Sequence, residues 1–202
     1  MSEPVYRSAL ADAKPIKGSI TIAMIDDRGM IDLRGDISNK SFVAAATKAL
    51  GFALPTTPRQ STNKNGIVAL WLSPDQWLIT CPRDHTAATL KKLQTSLAKL
   101  HSLAVDVSDA RSIIRLEGDG SKIVLMKGTP VDLTTPEHTA GFVRRIQFAE
   151  LAGLVHVVSS KPETIDLYVF RSYTQHAWNW LAATSGAQSR LHLYGVQETT
   201  DV

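Results

Sequence analysis

The sequence predicts an α+β protein made of two fused ferredoxin-like halves, each with the order β-α-β-β-α-β. Three observations carry this. A strand, a Gly-Asp junction, a helical pattern and a Gly stop occur twice: Leu33-Arg34-Gly35-Asp36 leads to Leu50-Gly51, and Leu116-Glu117-Gly118-Asp119 leads to Lys127-Gly128. The two junction glycines stand 118 − 35 = 83 positions apart. The residues between the repeats alternate strand and helix in the ferredoxin-like order, and a chain of 202 residues has room for two such halves sharing an interface. The division is residues 1–18 as an N-terminal arm, 19–108 and 109–196 as the halves, and 197–202 as a tail.

Residues 1–18 hold two prolines and no clear period, and read either as a frayed terminus or as an arm that orders against a partner. Ser19–Met24 alternates weakly, as an edge strand does, and Asp26-Asp27-Arg28-Gly29 is a turn signal. Met30–Arg34 is a short strand. Ser38 is placed to cap a helix whose Phe42, Ala46, Ala49 and Leu50 share one face. Leu54–Gly66 is polar, with two prolines and an Asn-Gly turn, and reads as a long loop. Ile67–Leu72 and Trp77–Cys81 form a hairpin about Ser73-Pro74-Asp75-Gln76. Asp84 is placed to cap a helix with a Leu90, Leu93, Leu97, Leu100 stripe, and Leu103–Val107 closes the first half.

The second half opens with the strand Arg111–Leu116. Gly118-Asp119-Gly120-Ser121 breaks it and offers Asp119 or Ser121 as an N-cap, and Lys127-Gly128 supplies a terminal cation and a left-handed stop. Phe142–Ala149, Gly153–Ser159 and Ile165–Phe170 are strands. Ser172 is placed to cap a helix with Tyr173, Ala177, Trp180 and Leu181 on one stripe, and Arg190–Val196 is placed to close the sheet. Trp178 lies about 140° around that helix from Tyr173 and two positions from Trp180, on nearly the opposite side, so one sheet cannot bury both tryptophans; either another element or a partner protein covers Trp178.

Charge and composition narrow the function classes. The chain is 44% hydrophobic and 20% charged, enough for a packed core. The net charge of +3 is spread along the chain without the concentrated basic patch that nucleic-acid binding requires. No apolar run approaches the ~20 residues that cross a bilayer. Cys81 is the single cysteine, which excludes an internal disulfide, and the first ten residues lack a secretory pattern; a cytoplasmic protein is expected.

No motif carries strong chemistry. The six histidines show no i, i+4 pairing and Cys81 has no partner, so no metal site is expected. There is no G-x-S-x-G elbow. Gly118-x-Gly120 stands where anions bind, but Ile123 occupies the place of a third glycine, and a plain helix start is expected. Asp106, Asp109, Arg111 and Arg115 are either a substrate-clamping set or an ion-paired turn. No catalytic residue is assigned, which points to a binding or assembly protein.

Four stretches in this order, ALWLSPDQWLIT, VDVSDARSIIRLEGDGSKIVLMKGTPVDL, FVRRIQFAELAGLVHVV and IDLYVFRSYTQHAWNWL, resemble the gamma subunit of heterotetrameric sarcosine oxidase, and Arg7-Ser8-Ala9-Leu10 resembles that family's N-terminal segment. The resemblance implies an aminomethyltransferase folate-binding-like fold. It also implies membership of a complex that demethylates sarcosine oxidatively to glycine, passes the one-carbon unit to tetrahydrofolate and forms hydrogen peroxide. FAD, FMN and NAD would belong to the alpha and beta subunits, a zinc-bearing delta subunit would complete the complex, and this chain would bind no cofactor. Trp178, Tyr6, Arg7 and Arg59 are the subunit-interface candidates. The alternative is a stand-alone folate binder, with Asp106, Arg111 and Arg145 on the pteridine or its glutamate tail. The Lys-Gly-Cys-rich segment of single-chain folate-dependent repair proteins is absent.

Overall fold

A computed structural model of the chain describes residues 6–186 and Ser189. Two antiparallel sheets lie face to face, and each carries two helices on its outer side. In chain order the elements are β1 (Ile16–Lys17), β2 (Thr21–Ile25), β3 (Arg28–Gly35), α1 (Lys40–Leu50), β4 (Ser61–Lys64), β5 (Ile67–Ser73), β6 (Gln76–Pro82), α2 (Thr86–Leu97), β7 (Ser102–Asp106), β8 (Arg111–Glu117), α3 (Ser121–Met126), β9 (Val143–Phe148), β10 (Leu151–Ser160), β11 (Glu163–Phe170) and α4 (Thr174–Ser185). One sheet has the order β4-β5-β6-β3-β7 and the other β1-β2-β8-β11-β10-β9.

The five strands of the first sheet each have a counterpart in the second, which adds the short β1 at its edge. β3 and β8 are central, each followed by a helix, and β5-β6 and β10-β11 are the hairpins beside them. Gly35 ends β3 and Gly118 directly follows β8, so the repeated Leu-x-Gly-Asp segments fall at equivalent places. The expected α+β duplication is therefore present, with one change of connectivity. The strand on the far side of β3 is β7, from the same half. The strand on the far side of β8 is β2, from the start of the chain, with Ile22 opposite Leu116 and Met24 opposite Ile114. Ser19–Met24 thus belongs with the second sheet, and the division at residues 19–108 assigned it to the wrong one. Local alternation marks a strand but carries no information about its neighbour. Arg190–Val196, expected to close that sheet, lies outside the described residues, as does the 197–202 tail.

Alternation along the strands divides the apolar residues among three clusters. Ile31, Leu33, Trp77 and Ile79 face α1 and α2, meeting Phe42, Ala46, Leu93 and Leu97. Ile114, Leu116, Val155, Ile165 and Leu167 face α3 and α4, meeting Leu125, Ala177, Trp178 and Leu181. Met30, Val68, Leu70 and Leu78 of one sheet meet Ile113, Val143, Leu154 and Tyr168 of the other. Strands buried on both faces read as continuous apolar runs, which is why IVALWL and LVHVV lack clean alternation.

The helix ends depart from expectation. Asn39, not Ser38, caps α1: its side-chain oxygen accepts from the Ser41 and Phe42 amides at 3.0 and 3.4 Å, and Gly51 ends the helix at φ 81°. Short 3₁₀ turns, Arg83–His85 and Arg171–Tyr173, lead into α2 and α4, so neither Asp84 nor Ser172 acts as a cap. Neither Asp119 nor Ser121 caps α3; the Glu163 carboxylate accepts from the Lys122 amide at 2.9 Å. Gly128 is not a left-handed stop. A Cβ there would lie 2.8 Å from both Phe148 and Trp180, so that glycine permits close packing. The Leu54–Gly66 loop contains β4, turned into β5 by Asn65-Gly66 at φ 52° and 78°.

Candidate functional site

The sheets part at one end of their shared face and leave a cleft of about 500 Å³. Alternation explains its polar lining. Arg115, His156 and Asp166 occupy the inward positions of β8, β10 and β11 that follow the apolar Ile113, Leu154 and Tyr168. Arg115 grips Asp166 with two parallel bonds, Nε to Oδ1 at 2.7 Å and Nη2 to Oδ2 at 2.9 Å. That bonding raises the arginine pKa further. The Asp166 side chain is only 7% exposed, and the bidentate guanidinium satisfies both of its oxygens. Across the gap, Arg28 donates to the Gly66 carbonyl at 2.7 Å.

His156 stands directly opposite Asp166 on β10, and its Nε2 lies 3.1 Å from Ser61 Oγ on β4. Ser61 Oγ also lies 3.0 Å from the Gly141 carbonyl, and the Ser61 amide donates to that same carbonyl. Burial lowers the His156 pKa to about 4, so the imidazole is neutral at pH 7; Asp166 opposes the effect. Tyr168 is fully desolvated and its phenol pKa is raised by burial, then by Asp166. A serine beside a neutral histidine is half of a nucleophilic pair. The missing part is a carboxylate orienting the imidazole: His156 makes no hydrogen bond to a carboxylate among the described residues, and Ser61 Oγ donates to the Gly141 carbonyl. Ser61 and His156 instead tie β4 to β10, beside the Gln60–Phe142 bridge and the Val143 amide bond to the Arg59 carbonyl.

The sequence-based candidates fall in different places. Asp106 accepts from the Ser108 amide and hydroxyl at the end of β7. Asp109 pairs with Arg83, and Arg115 with Asp166. Asp106, Asp109, Arg111 and Arg115 therefore do not converge. Of the three folate-contact candidates, Arg111 and Arg145 are neighbours at the other end of the sheet face; Asp106 is not with them. It pairs with Ile31, whose side chain points to the helix side. Burial and then Arg145 lower the Arg111 pKa. Arg111 stacks on Phe170, 4.4 Å from guanidinium to ring centre.

Among the interface candidates, Trp178 is 9% exposed and covered from within the chain. Leu10 and Ala13 of the arm pack on its cluster. Tyr6 lies under the Arg83 guanidinium at 3.4 Å, and the Arg7 carbonyl accepts from Arg171. The arm thus orders against its own chain. Arg59 is exposed at φ 64°. Sequence reasoning missed Ser61, His156 and the Arg115–Asp166 pair. Their signal was a polar residue interrupting each of two apolar strands, LVHVV and IDLYVF.

No helix among the described residues is long and apolar enough to cross a membrane. No three metal-ligating side chains cluster among them.

Comparison with known proteins places this geometry. A family model described as the sarcosine oxidase, gamma subunit family matches residues 34–187. The chain belongs to the sarcosine oxidase gamma subunit family. The gamma subunit of Corynebacterium sp. (strain U-96) is 27% identical over 184 residues, 89% of this chain and 87% of that one. That of Arthrobacter sp. is 28% identical over 141 residues, 68% of this chain and 66% of its own length. A chain of the heterotetrameric sarcosine oxidase from Corynebacterium sp. U-96, in complex with pyrrole 2-carboxylate, matches with a TM-score of 0.82. It is 24% identical, and the match covers 93% of this chain and 98% of that one. The glycine cleavage system aminomethyltransferase T from Bartonella henselae shares the fold at a TM-score of 0.58 and 13% identity, over 79% of this chain and 44% of its own.

Proposed function

We propose that this chain is the gamma subunit of a heterotetrameric sarcosine oxidase and serves it as a non-catalytic structural subunit. The complex would demethylate sarcosine oxidatively to glycine, deliver the one-carbon unit to tetrahydrofolate and release hydrogen peroxide. FAD, FMN and NAD would reside in the alpha and beta subunits, with a delta subunit completing the assembly in the cytoplasm. The observation that carries this reading is the gamma-subunit family match over residues 34–187. The site chemistry supports the structural role: the polar groups between the sheets are spent on one another, with Asp166 engaged at both oxygens and Ser61 and His156 used as a clasp.

Co-expression with the neighbouring flavoprotein genes tests the reading. The expected result is co-purification in a fixed ratio, with flavin absorbance in the complex and none in this chain alone. A chain that never co-purifies with a flavoprotein pair would overturn the assignment. Saturable tetrahydrofolate quenching of tryptophan fluorescence by the isolated chain would favour the stand-alone folate reading instead.

A further inference from the structure

The face of the second sheet that packs on the first runs past the edge of contact at one end. The residues left there are Arg111 on β8, Phe170 on β11, Ala152 on β10 and Arg145 on β9, with Phe170 directly opposite Arg111 in the sheet. Two guanidinium groups are held close enough for one to depress the pKa of the other, and Arg111 is also partly buried over the Phe170 ring. Arg145 donates to the neutral Gln76 amide at 3.0 Å. Among the described residues neither arginine has a carboxylate within ion-pair distance. Asp32 is the nearest acid to act on Arg111, and its own oxygens accept from Gln76 at 2.8 Å and Arg34 at 3.4 Å. Adjacent like charges without a counter-ion are unfavourable in the free chain.

The surroundings are open and mixed in polarity, with the exposed Glu150 carboxylate on the same groove as the aromatic residues. Phe170 is 39% exposed and Tyr173 44%, on a groove of about 950 Å³ that continues to Arg171. On the facing sheet Leu103 and Val105 of β7 are exposed beside Asp32 and Arg34. Arginine with exposed aromatic residues is the composition of interface hot spots, and its missing complement is a carboxylate. A free small anion would gain little from so open a surface, whereas a polypeptide segment would cover the aromatic flanks as well.

We infer that Arg111, Arg145 and Phe170 form a docking point for an acidic, Asp- or Glu-bearing segment of a partner subunit. This rests on the structural-subunit reading above and adds which face is used and what chemistry meets it. The test is co-purification of the full complex at fixed moderate salt with wild type, with Arg111→Glu/Arg145→Glu, and with Lys91→Glu/Lys92→Glu on the exposed side of α2 as a control. Wild type and control should be recovered equally. The Arg111/Arg145 reversal should fall at least tenfold, while Arg111→Lys/Arg145→Lys stays between. The unfolding temperature of the reversed chain alone checks that it folds; two glutamates there repel each other and Asp32, so a small decrease is expected. If it does not fold, the wild-type complex is read against salt instead. Its recovery should drop steeply with ionic strength, and a salt-insensitive complex would overturn the inference. Equal recovery of a folded reversal variant would also overturn it. Failure of wild type to co-purify would instead remove the structural-subunit reading beneath it.

Discussion

The two halves share one strand order but not one way of being built. The first half is closed by its own β7, and its helix α1 has 11 residues, an Asn39 cap and a glycine stop. The second half is closed by β2, borrowed from the far end of the chain. Its helix α3 has six residues and no side-chain cap of its own, and is held at its start by Glu163 from the β10–β11 hairpin. The first half caps its helix from the adjoining residue and closes with its own last strand, whereas the second steadies its helix from a distant hairpin and closes with a strand that precedes the first half. The same contrast holds for charge. Arg34–Asp32 is a solvated pair on the first sheet, and Arg115–Asp166 is a sheltered one on the second. A duplicated fold can thus place local determinants in one copy and tertiary ones in the other.

This asymmetry predicts its own tests. Deleting residues 1–26 removes β2 together with the arm over Trp178, and cooperative thermal unfolding should be lost. An unchanged transition would show that the second half closes without β2. Next in size, Arg115→Ala strands the Asp166 carboxylate and should lower stability by about 3 kcal/mol. Arg34→Ala, its exposed counterpart, should cost no more than about 0.5 kcal/mol in the same denaturant titration. Equal losses would erase the distinction between the pairs.

Acid should act on the second half through His156. Its folded pKa of about 4 lies below the usual 6.5, so the unfolded chain binds the extra proton first. The neutral histidine therefore lowers stability as pH falls from about 6.5 toward 4 and has no effect at higher pH, a loss of about 3 kcal/mol across that window. His156→Gln should flatten this limb when unfolding is compared at pH 7 and pH 5. A limb of the same slope in the variant would place the acid sensitivity elsewhere. A more local effect lies between those of the two ion pairs: Asn39→Ala removes a helix cap from the first half and should cost about 1 kcal/mol in the same titration.

Much of the fold was legible because the repeat carries its own punctuation. Gly35 and Gly118 occupy equivalent junctions, and the stripe from Phe42 to Leu50 is buried as its spacing requires. The candidate site was less legible. Arg111 and Arg145 were named as candidates and lie close enough to feel each other's charge, but Asp106, named with them, is turned to the other face by alternation. Ser61 and His156 are 95 residues apart and meet only because sheet packing brings the edge strand β4 against β10 of the other sheet. Trp178 was correctly seen as needing a cover, but the cover came from residues read as a frayed arm or as a partner's contact.

By itself the sequence determined the class, the duplication and most strand and helix positions. Each follows from periodicity and turn chemistry within about ten residues. Only the tertiary structure decided which sheet β2 joins, what lies over Trp178 and which charges are left facing outward without a counter-ion. Strand pairing and ion pairing depend on distances between segments far apart in the chain, and no local pattern encodes those distances.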